Sequence, residues 1–218
     1  MEDVLNLYAQ PYDPRRPLVC FDEARKELHG QVRPPLPPQP GRPAREDYEY
    51  SREGTANLFL FVEPLAGRRH VTVTAHRGGA DFAEQMKQLC DVEYPEADVI
   101  RVVLDNLNTH GPGSLFAAFA PDEAWRLVRR LEFHYTPKHA SWLNRAEREL
   151  SALARQCLER RIGDVAPLAA EVAAWEQRRN AARVKINWCF RAADARVKLK
   201  HLYPQLQQEQ QETSVSDH

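Results

Sequence analysis

The chain has 218 residues, 43% hydrophobic and 28% charged, with a formal net charge of -1; this is ordinary globular composition, enough for one sizeable core with an appended helical piece. No run of 18 apolar residues occurs and no basic-then-apolar leader opens it, which argues against a membrane span or signal peptide and for the cytoplasm. Cys20, Cys90, Cys157 and Cys189 lie far apart, with no C-x-x-C pair or zinc-finger spacing, and read as reduced core or helix residues rather than disulfides or a zinc site.

The near-zero net charge conceals an asymmetry. Residues 126–201 hold 17 Lys/Arg against 8 Asp/Glu, and the remainder holds 13 against 23. Solvated helix faces produce such a bias, and so does a polyanion-binding surface on the C-terminal half beside an acidic site in the N-terminal half.

In chain order, residues 1–16 form a polar, Pro-containing lead-in with one short helix around Val4–Tyr8. Pro17-Leu18-Val19-Cys20-Phe21-Asp22-Glu23 is an apolar run closing on an acid and reads as a first strand, followed by a turn and a second short strand over Ala24–Val32. Residues 33–54 open with six prolines from Pro34 to Pro43, a composition that rules out helix or central strand and predicts a surface loop. Thr55–Pro64 and Arg69–Thr74 read as strands joined by the short turn Leu65–Arg68, a hairpin. Phe82, Met86, Leu89 and Cys90 recur at helical spacing within residues 80–94. Asp98–Asn106 is a buried strand ending in Asp105 and Asn106, with helices to follow over Leu115–Ala120 and Asp122–Leu131 and a short strand over Glu132–Tyr135. Ser141 is placed to cap a long helix running to about Arg161, and Val165–Ala182 is a further, Ala-rich helix.

In open α/β sheets the carboxyl ends of strands line the ligand crevice, so Asp22 and Asp105 on adjacent strands would share a rim. Two carboxylates repel there unless a cation lies between them, and a hard divalent ion with oxygen ligands is the natural candidate. In the Ser141 helix, Leu143, Ala146, Leu150, Leu153 and Cys157 make the core stripe, and Glu147 and Glu149 fall on its two margins. Periodicity leaves open which of the two faces the acidic rim. Trp142, Trp175 and Trp188 read most economically as packing residues.

The string His134-Tyr135-Thr136-Pro137-Lys138-His139-Ala140-Ser141-Trp142-Leu143-Asn144-Arg145-Ala146-Glu147, preceded by Val103-Leu104-Asp105-Asn106-Leu107-Asn108-Thr109-His110, resembles the catalytic domain of IS630-family transposases, members of the Tc1/mariner-like DDE superfamily. Val19–Glu23 is similar to that family's first acidic strand and Asp194–Pro204 to its C-terminal signature. The resemblance covers roughly residues 10–204. It implies an α/β, RNase H-like mixed five-stranded sheet with helices on both faces over residues 17–204; residues 205–218, rich in Gln, Glu and Ser, read from composition as a disordered tail.

Carried over residue by residue, the resemblance gives Asp22, Asp105 and Glu147 as the catalytic, metal-holding acids, and so selects Glu147 over Glu149. It implies two Mg²⁺ (or Mn²⁺) ions per site, with Asp22 bridging them. The implied activity is DNA cleavage at element ends and strand transfer to a TA-containing target, by a homo-oligomer on DNA in the nucleoid. Asn106 and His110 are candidates for orienting water or contacting phosphate, against loop capping as the plain alternative. Lys138 and His139 are candidates for the DNA backbone. Full-length members carry helix-turn-helix segments ahead of the catalytic domain, and this chain starts at Met1 without them, so a separately encoded helix-turn-helix subunit is expected. Two rival readings are a non-catalytic partner or inhibitor of full-length transposase and a stand-alone RNase H-like nuclease.

Overall fold

Strand β1, Leu18–Gln31, organises the molecule. Its first residues, Leu18 to Phe21, are buried on both faces, as a central strand requires. On one side it pairs in parallel with β4, Ile100–Leu104, and on the other antiparallel with β2, Tyr50–Glu63, which in turn pairs antiparallel with β3, Arg68–Thr74. β5, Leu131–Tyr135, adds in parallel to β4. The sheet order is β3-β2-β1-β4-β5, a mixed five-stranded sheet. The computed structural model describes residues 1–45, 47–138 and 140–203; the expected tail over 205–218 lies outside the described residues.

The two long strands differ from the sequence reading. β1 does not end at Asp22 but continues to Gln31 without a turn, because β2 pairs with it along the whole length, from Cys20↔Val62 to Gln31↔Tyr50 with one register shift at Leu28/His29. β2 begins at Tyr50, inside the segment expected to be loop. Backbone pairing thus holds a hairpin extension whose side chains, apart from the buried Leu28, are too polar for apolar patterning to signal it.

Alternation along the strands sorts side chains to two faces. Val19, Phe21, Phe59, Phe61, Val102 and Leu104 point to one, where α2 (Gly79–Gln88), α3 (Pro112–Ala118) and α4 (Pro121–Val128) cover them. Leu18, Cys20, Leu58, Leu60, Val62 and Val103 point to the other, under α1 (Glu2–Tyr8), α5 (Arg145–Leu153) and α6 (Val165–Ala181). Val4, Leu5 and Leu7 of α1 are fully inside this second core, and α7 (Ala192–Lys198) adds Ala195. The expected long helix from Ser141 is shorter: Ser141–Leu143 is a 3₁₀ turn, α5 starts at Arg145, and a π-helical turn over Ala154–Leu158 ends it.

A buried ion cluster ties α5 to β3 and α6. Glu149 accepts two hydrogen bonds from Arg179, at 3.1 and 2.7 Å, and Arg69 Nε lies 3.1 Å from its Oε2 as an ion pair without hydrogen-bond alignment. Arg69 also donates to the carbonyls of Gly67 and Val184, at 3.0 and 2.6 Å. Removing one member of such a cluster strands charge and carbonyls out of water. Arg69→Met should therefore lower the unfolding free energy by about 3–5 kcal/mol in urea titrations; a change within the ~0.5 kcal/mol of ordinary surface substitutions would contradict this role.

Candidate active site

The parallel β1–β4 ladder runs Leu18↔Arg101, Val19↔Val102, Cys20↔Val103. The paired ladder stops there: Asp22 lies two residues past Cys20 on β1, and Asp105 is the first residue after the end of β4 at Leu104. Asp22 shares the face of Cys20, on the side covered by α5, whereas Asp105, just past the end of β4, turns its carboxylate to His110, which packs against Phe21 and Phe82 of the opposite face. Glu147 sits in the first turn of α5, half-buried, and Asp22 is half-buried as well. Glu149, two residues on, is turned inward to Arg69 and Arg179 and is 3% exposed.

The Asp22 carboxyl is pushed up to about 7: burial is the main cause, the Glu23 N–H, 2.9 Å from Oδ1, opposes it, and the charges of Glu23, Glu147 and Asp105 add to it. The ion pairs on this rim belong to Asp105 and Glu23, both with His110; among the described residues none reaches Asp22 or Glu147. His110 Nδ1 lies 2.5 Å from Asp105 Oδ1 and Nε2 lies 3.0 Å from Glu23 Oε2. Burial works against the charged ring, but the bonds to Asp105 and Glu23 outweigh it and raise His110 to about 9. Among the described residues no three His, Cys, Asp or Glu side chains form a finished metal-ligand set, and the Asp105 carboxylate is turned to His110.

A family model described as DDE superfamily endonuclease matches residues 17–169. The chain belongs to the DDE superfamily endonucleases. No curated protein matches it. Among solved structures it is similar to the Mos1 mariner paired end complex with Mn, at 16% identity and a TM-score of 0.54, covering 84% of this chain and 55% of that one. The Mos1 Strand Transfer Complex gives 16% identity, a TM-score of 0.55 and the same coverages. At such identities the likeness is one of fold, and it is that of the RNase H-like sheet expected from the sequence. The chain spans about half the length of the Mos1 chains it matches.

Two residues that sequence reasoning passed over fix the rim of this DDE endonuclease. Asn144 caps α5, its Oδ1 accepting from Ala146 N at 3.1 Å, while its Nδ2 donates to the Phe21 carbonyl at 2.8 Å. One 2%-exposed side chain thereby joins the strand of Asp22 to the helix of Glu147. Glu23 is the second, opposite Asp22 on the pleat and held beside His110. Ser141, expected as the cap, lies in the preceding 3₁₀ turn. His110 itself is 3% exposed and packed against Phe21 and Phe82, so it braces Asp105 rather than facing open solvent. Asn106 is exposed in the loop after β4, Lys138 is exposed in the turn after β5, and His139 lies outside the described residues.

Asn144→Ala removes both a cap and a buried hydrogen bond and should cost about 1–3 kcal/mol of stability by urea unfolding; a loss under ~0.5 kcal/mol would show the tether to be idle. Asp22 gives a pH-dependent counterpart. Its folded value of about 7 lies above the unfolded one near 3.8, so its contribution is fully present below about pH 4 and is lost as pH rises through 7. In chelator at pH 8, Asp22→Asn should therefore be more stable than the parent by about 2–4 kcal/mol, with the difference vanishing towards pH 4. Thermal melts across that range measure it, and an Asn variant less stable at pH 8 would refute the electrostatic reading.

Proposed function

We propose that this chain is the catalytic domain of an IS630-like transposase, cutting DNA at the ends of an insertion sequence and joining the freed 3′-OH to a TA-containing target. The observation that carries the reading is the placement of three acids far apart in sequence: Asp22 just past the paired β1–β4 ladder, Asp105 just past the end of β4, and Glu147 in the first turn of α5, with no ion pair on Asp22 or Glu147 among the described residues. The motif strings around Asp105 and Glu147, the family match and the fold support it.

The donor set suits a divalent ion: three hard carboxylates, of which Asp22 is raised mainly by burial and further by the neighbouring acids, and among the described residues no Lys or Arg is ion-paired with any of them. Asp22, Asp105 and Glu147 would hold Mg²⁺ or Mn²⁺, as a pair of ions. The chemistry such a pair supplies when bound is activation of water or a 3′-OH, stabilisation of the leaving 3′ oxygen and neutralisation of the phosphate. The protein's own part is positioning. His110 fixes the Asp105 carboxylate and Asn144 fixes the distance from strand to helix. Exposed Lys138, Arg148 and Arg155 flank or extend along the Glu147 helix and would meet the DNA backbone, each losing its share of affinity as salt rises.

The test is a Mg²⁺-dependent nicking assay on a labelled terminal inverted repeat, with a helix-turn-helix segment supplied alongside. Asp105→Asn should reduce cleavage by more than ~100-fold, beyond the range of losses for residues that only support a metal ligand. Cleavage that persists in Asp105→Asn removes the assignment; cleavage of RNA–DNA hybrid in place of repeat DNA makes the domain a nuclease instead.

A further inference from the structure

On the helix of Glu147 a buried charge lacks a counter-ion. Arg145, the first residue of α5, is 1% exposed, and among the described residues it pairs with no carboxylate. Its guanidinium carbon lies 4.0 Å over the Tyr8 ring and 4.1 Å over the Trp188 ring. Nη1 donates a long bond, 3.4 Å, to the Ile186 carbonyl, and Nε is buried without a partner. Buried cations ordinarily have an acid beside them, as Arg69 and Arg179 have Glu149 here. Two aromatic faces offset the cost only in part.

The stack continues outward. Trp188 lies nearly parallel to Trp142, 6.0 Å between ring centres and 15° between planes, and Phe190 packs edge-on to both at 5.6 and 6.3 Å. Trp142 is 39% exposed, while the Trp188 Nε1 donor is buried and unbonded. Beside the stack opens a cavity of about 290 Å³ lined by Leu5, Tyr8, Ala9, Trp188, Phe190 and Arg191. Arg191 is exposed, and Lys198 Nζ lies 5.9 Å from the centre of the Phe190 ring. This corner therefore combines an open aromatic surface, a positive interior and two surface cations. A ligand that matches it brings a flat π-face and a negative charge.

The corner adjoins the acids. Trp142 precedes Glu147 by five residues, and Tyr8 donates to the Leu143 carbonyl at 2.6 Å while touching Cys20 Sγ at 3.3 Å, two residues before Asp22. In a duplex the faces of the bases are already stacked on one another, so an aromatic platform gains contact only from an unpaired base. We propose that the Trp142–Trp188–Phe190 stack binds one unpaired nucleotide of the DNA strand processed at the rim, its base on Trp142 and its phosphate towards Arg191. The proposal rests on the DNA-processing reading of the acids, and deepens it.

The test keeps the two apart by measuring binding in chelator, where no cleavage occurs. Fluorescence anisotropy compares a labelled duplex carrying one unpaired 3′ nucleotide with the same duplex blunt-ended. The parent, and equally Asp105→Asn, should prefer the unpaired end by about five- to tenfold, in the range of one base–aromatic stack. Trp142→Ala should abolish that preference and leave blunt-end affinity unchanged, and Trp142→Phe should restore most of it; a thermal melt establishes that both variants fold. The proposal is overturned by a parent without preference, by Trp142→Ala keeping it, or by Trp142→Ala weakening both duplexes alike. None of these outcomes depends on whether Asp105→Asn still cuts DNA.

Discussion

The candidate site depends on a single side chain bonded at both ends. Three carboxylates on one rim repel, and each would be better solvated if the elements carrying it moved apart. Asn144 opposes this at the shortest link, with its donor on the carbonyl next to Asp22 and its acceptor on the first turn of the Glu147 helix. Behind it, Glu149 anchors the same helix to β3 and α6 through Arg69 and Arg179. The helix therefore has two fixed points, one at its cap and one a turn later, and the residue between them has little freedom to rotate away. On the opposite flank His110 does the same for Asp105.

This arrangement explains why Glu147 and Glu149 were indistinguishable from helical periodicity. Both sit on the margins of the apolar stripe, and what separates them is their partners: two arginines distant in the chain for Glu149, and no protein cation among the described residues for Glu147. A long-range ion pair leaves no trace in local spacing. Family resemblance favoured Glu147 for the rim, and the buried cluster around Glu149 supplies a physical account of why that choice is consistent with the fold. Asn144 was hidden for a related reason. Ser141 satisfied the capping pattern as well as Asn144 did, and only the approach of β1 to the helix start, with the Phe21 carbonyl needing a donor, distinguishes them.

The core was more legible than the edges. The strands Leu18–Phe21, Leu58–Val62 and Ile100–Leu104 announce themselves as apolar runs, interrupted only by Arg101, because both of their faces are covered. From Ala24 to Gln31 and from Tyr50 to Thr55 the same two strands continue with Arg, Lys, Glu and His, held by main-chain bonds that carry no side-chain signature. Their length was invisible, and with it the fact that Asp22 stands not at the end of a strand but where one neighbour, β4, stops and the other, β2, goes on. That asymmetry opens the rim: beyond Cys20↔Val103 there is no parallel partner to cover Asp22 from the β4 side, so it is half-buried rather than sealed.

The charge imbalance between the two parts of the sequence has a structural meaning that a count cannot supply. Of the basic residues after 126, Arg145 and Arg179 are turned into the interior, where they hold helices in place, while Arg148, Arg155, Arg178, Arg183 and Arg191 remain exposed. The two roles alternate on the same helix, with Arg145 inward and Arg148 outward. The count of basic residues thus mixes two populations, inward and outward. The inward cations fix the geometry of the acids, and the outward ones leave positive charge beside a rim whose own charge is negative. On the proposed transposase reading, a phosphodiester backbone approaching that rim is drawn by the exposed arginines and repelled by the carboxylates, so productive approach to the acids requires that their charge first be neutralised. The same opposition between local repulsion and surrounding attraction makes the rim a selective place for an anion to dock.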